Sequence, residues 1–115
     1  MSGHQTGLAA EDIAVRLYEA QQGKVLERRW KRREGEIDLI VSLGGRVVFV
    51  EVKARKTLDA AARSLPPRQI ERMFNVASRY LAESGLGLNT ETRFDMVLVD
   101  RNGTAEILEN ALMQG

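Results

Sequence analysis

The sequence contains no cysteine and a single histidine among 115 residues. Without cysteine the chain can form no disulfide, no thiolate metal site and no cysteine nucleophile. The lone histidine, His4, lies near the start, which argues against a histidine-rich zinc site and against a Ser-His-Asp mechanism. Carboxylates and lysines are left as the candidates for chemistry.

Long apolar runs are also missing. No stretch reaches the roughly 18 apolar residues that a membrane-spanning helix needs, and the start lacks the basic-then-apolar pattern of a signal peptide. We therefore expect a cytoplasmic protein without a membrane partner. Aromatic residues make up 5% and hydrophobic residues 43% of the chain, which predicts a mainly aliphatic core. The length suits one domain, residues 1–115.

Apolar periodicity predicts two helices. The first runs from a cap at Thr6 to about Gln21, after a flexible start at residues 1–5. The second begins at Pro66-Pro67, because proline is tolerated in a first turn, and ends at Gly85. Residues 54–65 show no period and are expected to form a mobile loop.

Alternating apolar residues predict five strands, and Asn102-Gly103 predicts a type I′ hairpin between the last two. Asp95 and Asp100, on the fourth strand, are expected to be solvent-side or capping residues. A strand, helix, strand unit between Val47 and Val99 implies a parallel pair. The fold class is therefore α/β, with helices flanking a mixed central sheet in the order αβββαββ. The strands are predicted at 25–30, 36–41, 47–53, 93–100 and 104–109.

Four charged residues interrupt the two apolar strands that meet at Gly44-Gly45. If these glycines form a two-residue turn, the numbers of opposed residues sum to 89, so Asp38 faces Glu51 and Glu36 faces Lys53. Strand alternation places these four charges on one face of the hairpin. The other face is then apolar and consists of Ile37, Leu39, Val41, Val48, Val50 and Val52.

Two carboxylates about 5 Å apart repel each other, particularly when they are shielded from water. Mg²⁺ or Mn²⁺ would compensate, and the carbonyl of Val52 could supply a further oxygen. Lys53 could then orient an attacking water, as in a metal-dependent phosphodiesterase. The alternative is structural: Glu36 pairs with Lys53, and nearby arginines neutralise Asp38 and Glu51.

Two further features bear on such a site. On the first helix, Glu11 lies at the edge of the apolar stripe and is the acid best placed to reach inward. The basic stripe, residues 28–33, could bind phosphates while Trp30 stacks on a base. Its alternative is a solvated edge strand in which Trp30 covers the core. The stripe consists of Arg28, Arg29, Trp30, Lys31, Arg32 and Arg33.

The blocks GEIDLI (35–40) and FVEVK (49–53), together with GxxxE at 7–11 and RFD at 93–95, resemble the YraN-like family of uncharacterised bacterial proteins. That family is similar to restriction-endonuclease-like PD-(D/E)xK nucleases and to archaeal Holliday junction resolvases. The resemblance extends from residue 7 to about residue 111. It implies an endonuclease-like fold and Mg²⁺- or Mn²⁺-dependent hydrolysis of DNA.

The resemblance also implies a role for each matching residue. Asp38 and Glu51 correspond to the metal-binding acids, and Lys53 corresponds to the lysine that positions the nucleophile. Glu11 corresponds to the acid that the first helix often supplies to the metal. Gln69 matches a glutamine near the start of the following helix.

Outside this core the sequence departs from the family pattern. Relatives usually have a lysine where this chain has Arg68, which keeps a positive charge for phosphate contact but alters the geometry. Arg55, within the predicted loop, is a further candidate for nucleic-acid contact, although an ordinary solvated loop is the simpler interpretation. A Holliday junction has two-fold symmetry, so a resolvase would be expected to form a homodimer.

Two competing functions stay open besides a nuclease. A nucleic-acid-binding module could keep this fold without cutting, and it would bind through the basic stripe in a salt-dependent manner. A structural or adaptor protein with ion-paired carboxylates would bind neither metal nor nucleic acid. A small domain has little room to read bases, so a nuclease of this size is expected to select branched structures over long sequences.

Overall fold

The computed structural model describes residues 3–64, 67–87 and 89–111. Three helices and five strands account for most of these residues. The helices are α1 (Gly3–Ala20), α2 (Leu58–Ala62) and α3 (Pro67–Glu83), and the strands are β1 (Lys24–Arg32), β2 (Gly35–Leu43), β3 (Arg46–Ala54), β4 (Thr92–Val99) and β5 (Ala105–Leu108).

The five strands form one mixed sheet in the order β1-β2-β3-β4-β5. β3 and β4 are parallel, since α2 and α3 connect them, and the other neighbours are antiparallel. The predicted α/β class with a mixed central sheet is confirmed, and the architecture is compatible with an endonuclease-like fold. Within the described ranges, no helix combines the length and the apolar character that crossing a membrane would require.

Helices cover both faces of the sheet. Because successive residues of a strand point to opposite faces, β3 contributes to two cores. Val48 and Val50 pack with Ala14 and Tyr18 of α1. Phe49, between them in sequence, packs with α3. The α3 residues in this second core are Val76, Ala77, Tyr80 and Leu81.

The turn between β2 and β3 has the geometry that its two glycines predict. Gly44 and Gly45 have φ values of 58° and 81°, and a type I′ turn requires positive φ at both positions. The ladder runs from Leu43–Arg46 to Leu39–Val50, so the predicted register is confirmed for these pairs. The predicted pairing of Asp38 with Glu51 and of Glu36 with Lys53 is not part of the ladder. Its last regular pair lies immediately before Asp38 and Glu51.

Ile37 does not lie where strict alternation predicts. It packs with Trp30 and Phe49 on the α3 side of the sheet, whereas Leu39 packs on the α1 side. The reason lies in β1, where Arg29 adopts a left-handed φ of 53° and interrupts the alternation. Ile37 follows its cross-strand partner Trp30, and the prediction for its face is wrong.

The segment predicted as a structureless loop contains α2. Thr57 caps this helix, and its Oγ1 accepts a hydrogen bond from the Ala60 amide at 3.0 Å. Ala61 is fully buried against Met73 and Leu98. A helix of five residues is too short to show a period in sequence. Leu65 and Pro66 lie outside the described residues.

The first helix begins earlier than predicted. α1 starts at Gly3, so Thr6 lies inside the helix and does not cap it. Threonine can occupy such a position because its helix propensity is within about 0.7 kcal/mol of alanine. Met1 and Ser2, part of the expected flexible start, lie outside the described residues.

The last hairpin uses a longer turn than the predicted type I′. Gly103 has a φ of 83°, whereas Asn102 is not among the residues with positive φ. Gly103 donates to the Asp100 carbonyl, and Asp100 donates to the Thr104 carbonyl, which is the pattern of a three-residue turn with a glycine bulge. The Asp100 carboxylate accepts from the amides of Asn102 and Thr104 at 2.9 and 3.0 Å, so its predicted capping role is confirmed.

Candidate functional site

Asp38 and Glu51 lie together where the regular pairing of β2 and β3 ends. Oδ2 of Asp38 accepts a hydrogen bond from the Val52 amide at 2.7 Å, so a side chain replaces a ladder partner. Burial and repulsion by Glu51 raise the pKa of Asp38 to about 7. Burial also raises the pKa of Glu51, although Lys53 opposes this shift. The two carboxyl groups therefore crowd negative charge into one shielded place.

Lys53 and Gln69 hold one oxygen of Glu51. Nζ of Lys53 lies 3.0 Å from Oε1 of Glu51, and Nε2 of Gln69 donates to the same oxygen at 2.9 Å. Nζ of Lys53 also lies 3.4 Å from Oε1 of Gln69. Gln69 reaches the site because α3 begins at Pro67. The structure thus brings together four residues singled out from the sequence.

Glu36 does not pair with Lys53 as the structural interpretation requires. Among the described residues, the ion pair of Lys53 is formed with Glu51, and Glu36 is exposed. The simple cross-strand pair is therefore absent from the part of the chain that the structure describes.

Glu11 reaches the site from α1 and is 5% exposed. Its two carboxylate oxygens accept hydrogen bonds from Nε of Arg29 at 2.9 and 3.1 Å. Nη2 of Arg28 lies 3.7 Å away. The negative charge of Glu11 contributes to the raised pKa of Asp38. Glu11 is thus close to the carboxylate pair, as predicted, but it is bound to arginine.

Two clefts meet at the carboxylate pair. Both are lined by Glu36, Asp38 and Glu51, so these acids form the boundary between them. The first cleft, of about 510 Å³, has a basic wall of Arg29, Lys53 and Arg55. The second cleft, of about 450 Å³, has a basic wall of Arg68 and Arg72.

The donor atoms of the pair suit a hard divalent cation. Mg²⁺ is usually bound through one or two carboxylates with waters completing its shell, and crowded carboxylates are a charge arrangement that a cation relieves. Asp38 and Glu51 could hold such an ion. No group of three or more potential ligands from histidine, cysteine, aspartate and glutamate occurs among the residues described, so this part of the chain offers the carboxylate pair and not a full cage.

The structure separates the residues of the basic stripe. Arg29 lies in the first cleft, whereas Arg28 pairs with Asp12 at 2.8 Å. Trp30 is 9% exposed and packs edge-on against Tyr80, with ring centroids 5.1 Å apart. The arrangement of Trp30 is therefore the core-covering alternative. The other stripe residues lie outside both clefts: Lys31 and Arg33 are exposed, and Arg32 pairs with Glu83 and stacks on the Trp30 ring.

Asp95 is buried, and its prediction as a solvent-side or capping residue is wrong. It is 0% exposed and accepts hydrogen bonds from the Tyr18 hydroxyl at 2.8 Å and the Asn110 amide at 2.9 Å. Arg93 adds two more, at 2.9 and 2.8 Å. Tyr18 lies 77 positions away in sequence, so no local pattern could reveal this partner.

Arg72 is a cleft residue that the sequence reasoning missed. It lines the second cleft with Arg68, which lies one helical turn earlier on α3. Residues four apart share one face of a helix, so the spacing of the two arginines was the available signal.

The chain matches a known protein family over most of its length. A model of the uncharacterised protein family UPF0102 matches residues 10–99. The chain belongs to UPF0102. The matched residues include the carboxylate pair, Lys53, Gln69 and Glu11, and the resemblance to the YraN-like family is confirmed.

UPF0102 relatives cover nearly the full chain. A UPF0102 protein of Cereibacter sphaeroides is 47% identical over 114 residues, which span 96% of this chain and 97% of the relative. A UPF0102 protein of Ruegeria pomeroyi is 46% identical over 112 residues, which span 97% of this chain and 91% of the relative.

One solved structure aligns weakly with this UPF0102 chain. The structure of Pyrococcus furiosus SfsA in complex with Ca²⁺ covers 84% of this chain and 57% of its own, at 15% identity and a TM-score of 0.35. A TM-score of this size does not establish a shared fold.

Proposed function

We propose that this UPF0102 chain is a Mg²⁺- or Mn²⁺-dependent nuclease that hydrolyses phosphodiester bonds of DNA. The observation that carries the proposal is the shielded pair of Asp38 and Glu51, both with raised pKa, next to Lys53. Perturbed titratable groups in a cleft are typical of functional sites. Burial is the main cause of both shifts, and a divalent cation bound by the pair would balance the negative charge that burial disfavours.

Different hydrogen bonds fix the two carboxylates in place. The Val52 amide fixes Oδ2 of Asp38. Lys53 and Gln69 fix Oε1 of Glu51, and its other oxygen has no nitrogen donor among the described residues. These contacts would hold the cation ligands in place, with the Val52 carbonyl as a further candidate oxygen. When bound, the cation would activate water and stabilise charge on the phosphate.

Lys53 is the group on this chain that would act on the reacting atoms. Its ammonium is a compact charge with three donors, and Glu51 and Gln69 hold it beside the carboxylates. In this position it would orient the attacking water or neutralise charge that develops on the phosphate. Gln69 would act through both Glu51 and Lys53, as a positioning residue.

The basic outer walls of the clefts would hold the DNA backbone. Arg55 lies in the first cleft and Arg68 and Arg72 lie in the second. A strand that crosses the carboxylate pair would therefore present neighbouring phosphates to arginines on either side. Such contacts read the backbone and not the bases, which favours a branched DNA substrate selected by structure. On a two-fold symmetric junction we would expect a homodimer.

Cleavage assays with Mn²⁺ and labelled branched and linear DNA test the proposal. We expect the wild type to cut, and Asp38→Asn and Lys53→Ala to lose cutting while their circular dichroism spectra stay unchanged. The matched control is Asp59→Asn, which alters a carboxylate with 86% of its side chain exposed on α2. Asp59→Asn should cut like the wild type. Cutting retained in Asp38→Asn would overturn the proposal.

A second candidate function is a nucleic-acid-binding module that does not cut. It is favoured by the contacts that already reduce negative charge at the site, namely Lys53 on Glu51 and Arg29 on Glu11. This function predicts salt-dependent DNA binding without a metal requirement and without product. The combined change Arg68→Ala and Arg72→Ala should then weaken binding and reduce its salt dependence.

A further inference from the structure

The metal role expected for Glu11 does not agree with its surroundings. Both carboxylate oxygens of this residue accept from Nε of Arg29, and Arg28 adds a second positive charge at 3.7 Å. The carboxylate is almost fully buried, and buried charges in proteins are paired or bind metals. Glu11 is already paired, so a cation would compete with two arginines for it.

Arg29 reaches Glu11 through an unusual backbone conformation. Its φ of 53° lies in the left-handed region, which a residue with a side chain occupies only when its surroundings impose it. The strand alternation reverses at this point. On either side of Arg29, Arg28 pairs with Leu39 and Trp30 pairs with Ile37, and these two partners belong to cores on opposite faces.

The contact with Glu11 leaves much of the Arg29 guanidinium free. Nε alone binds Glu11, and within the described residues Nη1 and Nη2 have no hydrogen-bond partner. The side chain is 36% exposed and lines the first cleft with Asp38 and Lys53. A planar guanidinium with free terminal donors matches the oxygens of a phosphate group.

We propose that Glu11 is a positioning residue that holds Arg29 as a phosphate-binding group of the site, and that Glu11 is not a metal ligand. The inference rests on the proposed function, because the phosphate is that of the DNA strand crossing the carboxylate pair. Arg29 contacts non-bridging oxygens of this phosphate from the side of the first cleft. It thereby places positive charge where negative charge develops during hydrolysis.

Calorimetric titration with Mn²⁺ separates the two roles of Glu11. Removal of a metal ligand weakens metal binding, so we compare the Mn²⁺ affinities of wild type, Glu11→Gln and Asp38→Asn. We expect Glu11→Gln to bind Mn²⁺ within about two-fold of wild type, and Asp38→Asn to lose binding. A tenfold or greater loss of Mn²⁺ affinity in Glu11→Gln would overturn the inference. The control is Asp12→Asn, which alters an arginine-bound carboxylate of α1 that lines neither cleft.

Single-turnover cleavage and DNA binding test Arg29 itself. Removal of one donor to a transition state costs about 100-fold to 1,000-fold in rate, so we expect a loss of that order in Arg29→Ala. The loss should be smaller in Arg29→Lys, which keeps the positive charge but lacks the paired donors of the planar guanidinium. The slope of DNA affinity against salt should fall by about one phosphate contact in Arg29→Ala. An unchanged rate and an unchanged slope in Arg29→Ala would overturn the inference.

The same samples distinguish this inference from the proposed function. If wild type binds Mn²⁺ and DNA without cutting, the proposed nuclease fails, while the metal affinity of Glu11→Gln and the salt slope of Arg29→Ala still decide the roles of these residues. If wild type cuts and Glu11→Gln loses Mn²⁺, the nuclease stands and the inference fails.

Discussion

Two carboxyl sites on the same sheet differ in how their charge is balanced: the buried Asp95, and the pair of the half-buried Asp38 and the buried Glu51. Asp95, on β4, accepts four hydrogen bonds, including two from Arg93. Asp38, on β2, has one backbone donor and a second carboxylate, Glu51, as its neighbour. Donors of the protein itself therefore balance the charge of Asp95. Asp38 shares a shielded place with like charge.

This difference distinguishes an acid that stabilises the fold from a pair of acids in a candidate functional site. A buried carboxylate with an arginine and further donors stabilises the fold and keeps its position. Burial and the charge of Glu51 raise the pKa of Asp38, so the ionised form of Asp38 reduces the stability of the fold. We propose that this pair, which is open to two clefts with arginines on their walls, receives a cation and an anionic substrate.

The largest effect on stability should come from removing the carboxylate of Asp95. Asp95→Ala removes the closest partner of the largely buried Arg93 guanidinium and leaves it Glu109 at 3.8 Å. Breaking a buried pair in this way costs about 3 to 5 kcal/mol. Urea unfolding at pH 7 should show this loss in the free energy of unfolding. A loss below about 1 kcal/mol would mean that Asp95 is not the structural acid of the comparison.

A change at the Asp38–Glu51 pair should raise the free energy of unfolding, when it is measured in buffer with a metal chelator. The pKa of Asp38 rises from 3.8 in the unfolded chain to about 7 in the folded chain, so the folded chain binds this proton more tightly. The contribution of Asp38 to stability therefore falls as pH rises from 3.8 towards 7. Asp38→Asn removes this penalty and should be more stable than wild type at pH 8 by about 1 to 3 kcal/mol.

The pH dependence of this difference is its control. At pH 4 most of the penalty is absent, so wild type and Asp38→Asn should have nearly equal free energies of unfolding. An equal gain at both pH values would point to a packing effect, and a loss at pH 8 would contradict the crowding of charge at the site.

A smaller loss is expected from Tyr18→Phe. The variant removes one hydrogen bond to the Asp95 carboxylate and leaves the other three, so we expect a loss of about 1 to 2 kcal/mol in urea unfolding. Burial and Asp95 raise the pKa of the Tyr18 hydroxyl, so the loss should be the same at pH 6 and pH 9. A loss that vanishes at pH 9 would contradict this.

The smallest effect is expected at a surface carboxylate. Asp59 pairs with Arg63 one helical turn away, and both side chains are largely exposed. Such pairs contribute about 0.5 kcal/mol or less, so Asp59→Asn should unfold like wild type within that margin. A larger change would show that α2 depends on its surface charges more than on the burial of Ala61.

Much of the carboxylate site could be predicted because its information is local. Gly44-Gly45 selects a turn type, the turn selects a register, and the register brings Asp38 close to Glu51. Lys53 follows from alternation on the same strand. The resemblance added Gln69, and the start of α3 at Pro67 places this residue beside Glu51.

The remaining features depend on contacts that no short segment contains. The pairing of Glu11 with Arg29 joins a helix to a strand and requires a left-handed residue that sequence does not mark. The burial of Asp95 depends on Tyr18 from the far end of the chain. The face of Ile37 was mistaken because alternation was assumed to be unbroken in β1 and β2.

Calorimetric titration of wild type and Asp38→Asn with Mn²⁺, at pH 6 and pH 8, tests most directly whether the crowded carboxyls form a cation site. We predict one Mn²⁺ site in the wild type, with weaker affinity at pH 6 because a proton on Asp38 competes with the ion, and no site in Asp38→Asn. Absence of Mn²⁺ binding in the wild type at pH 8, or equal binding by Asp38→Asn, would contradict the central claim.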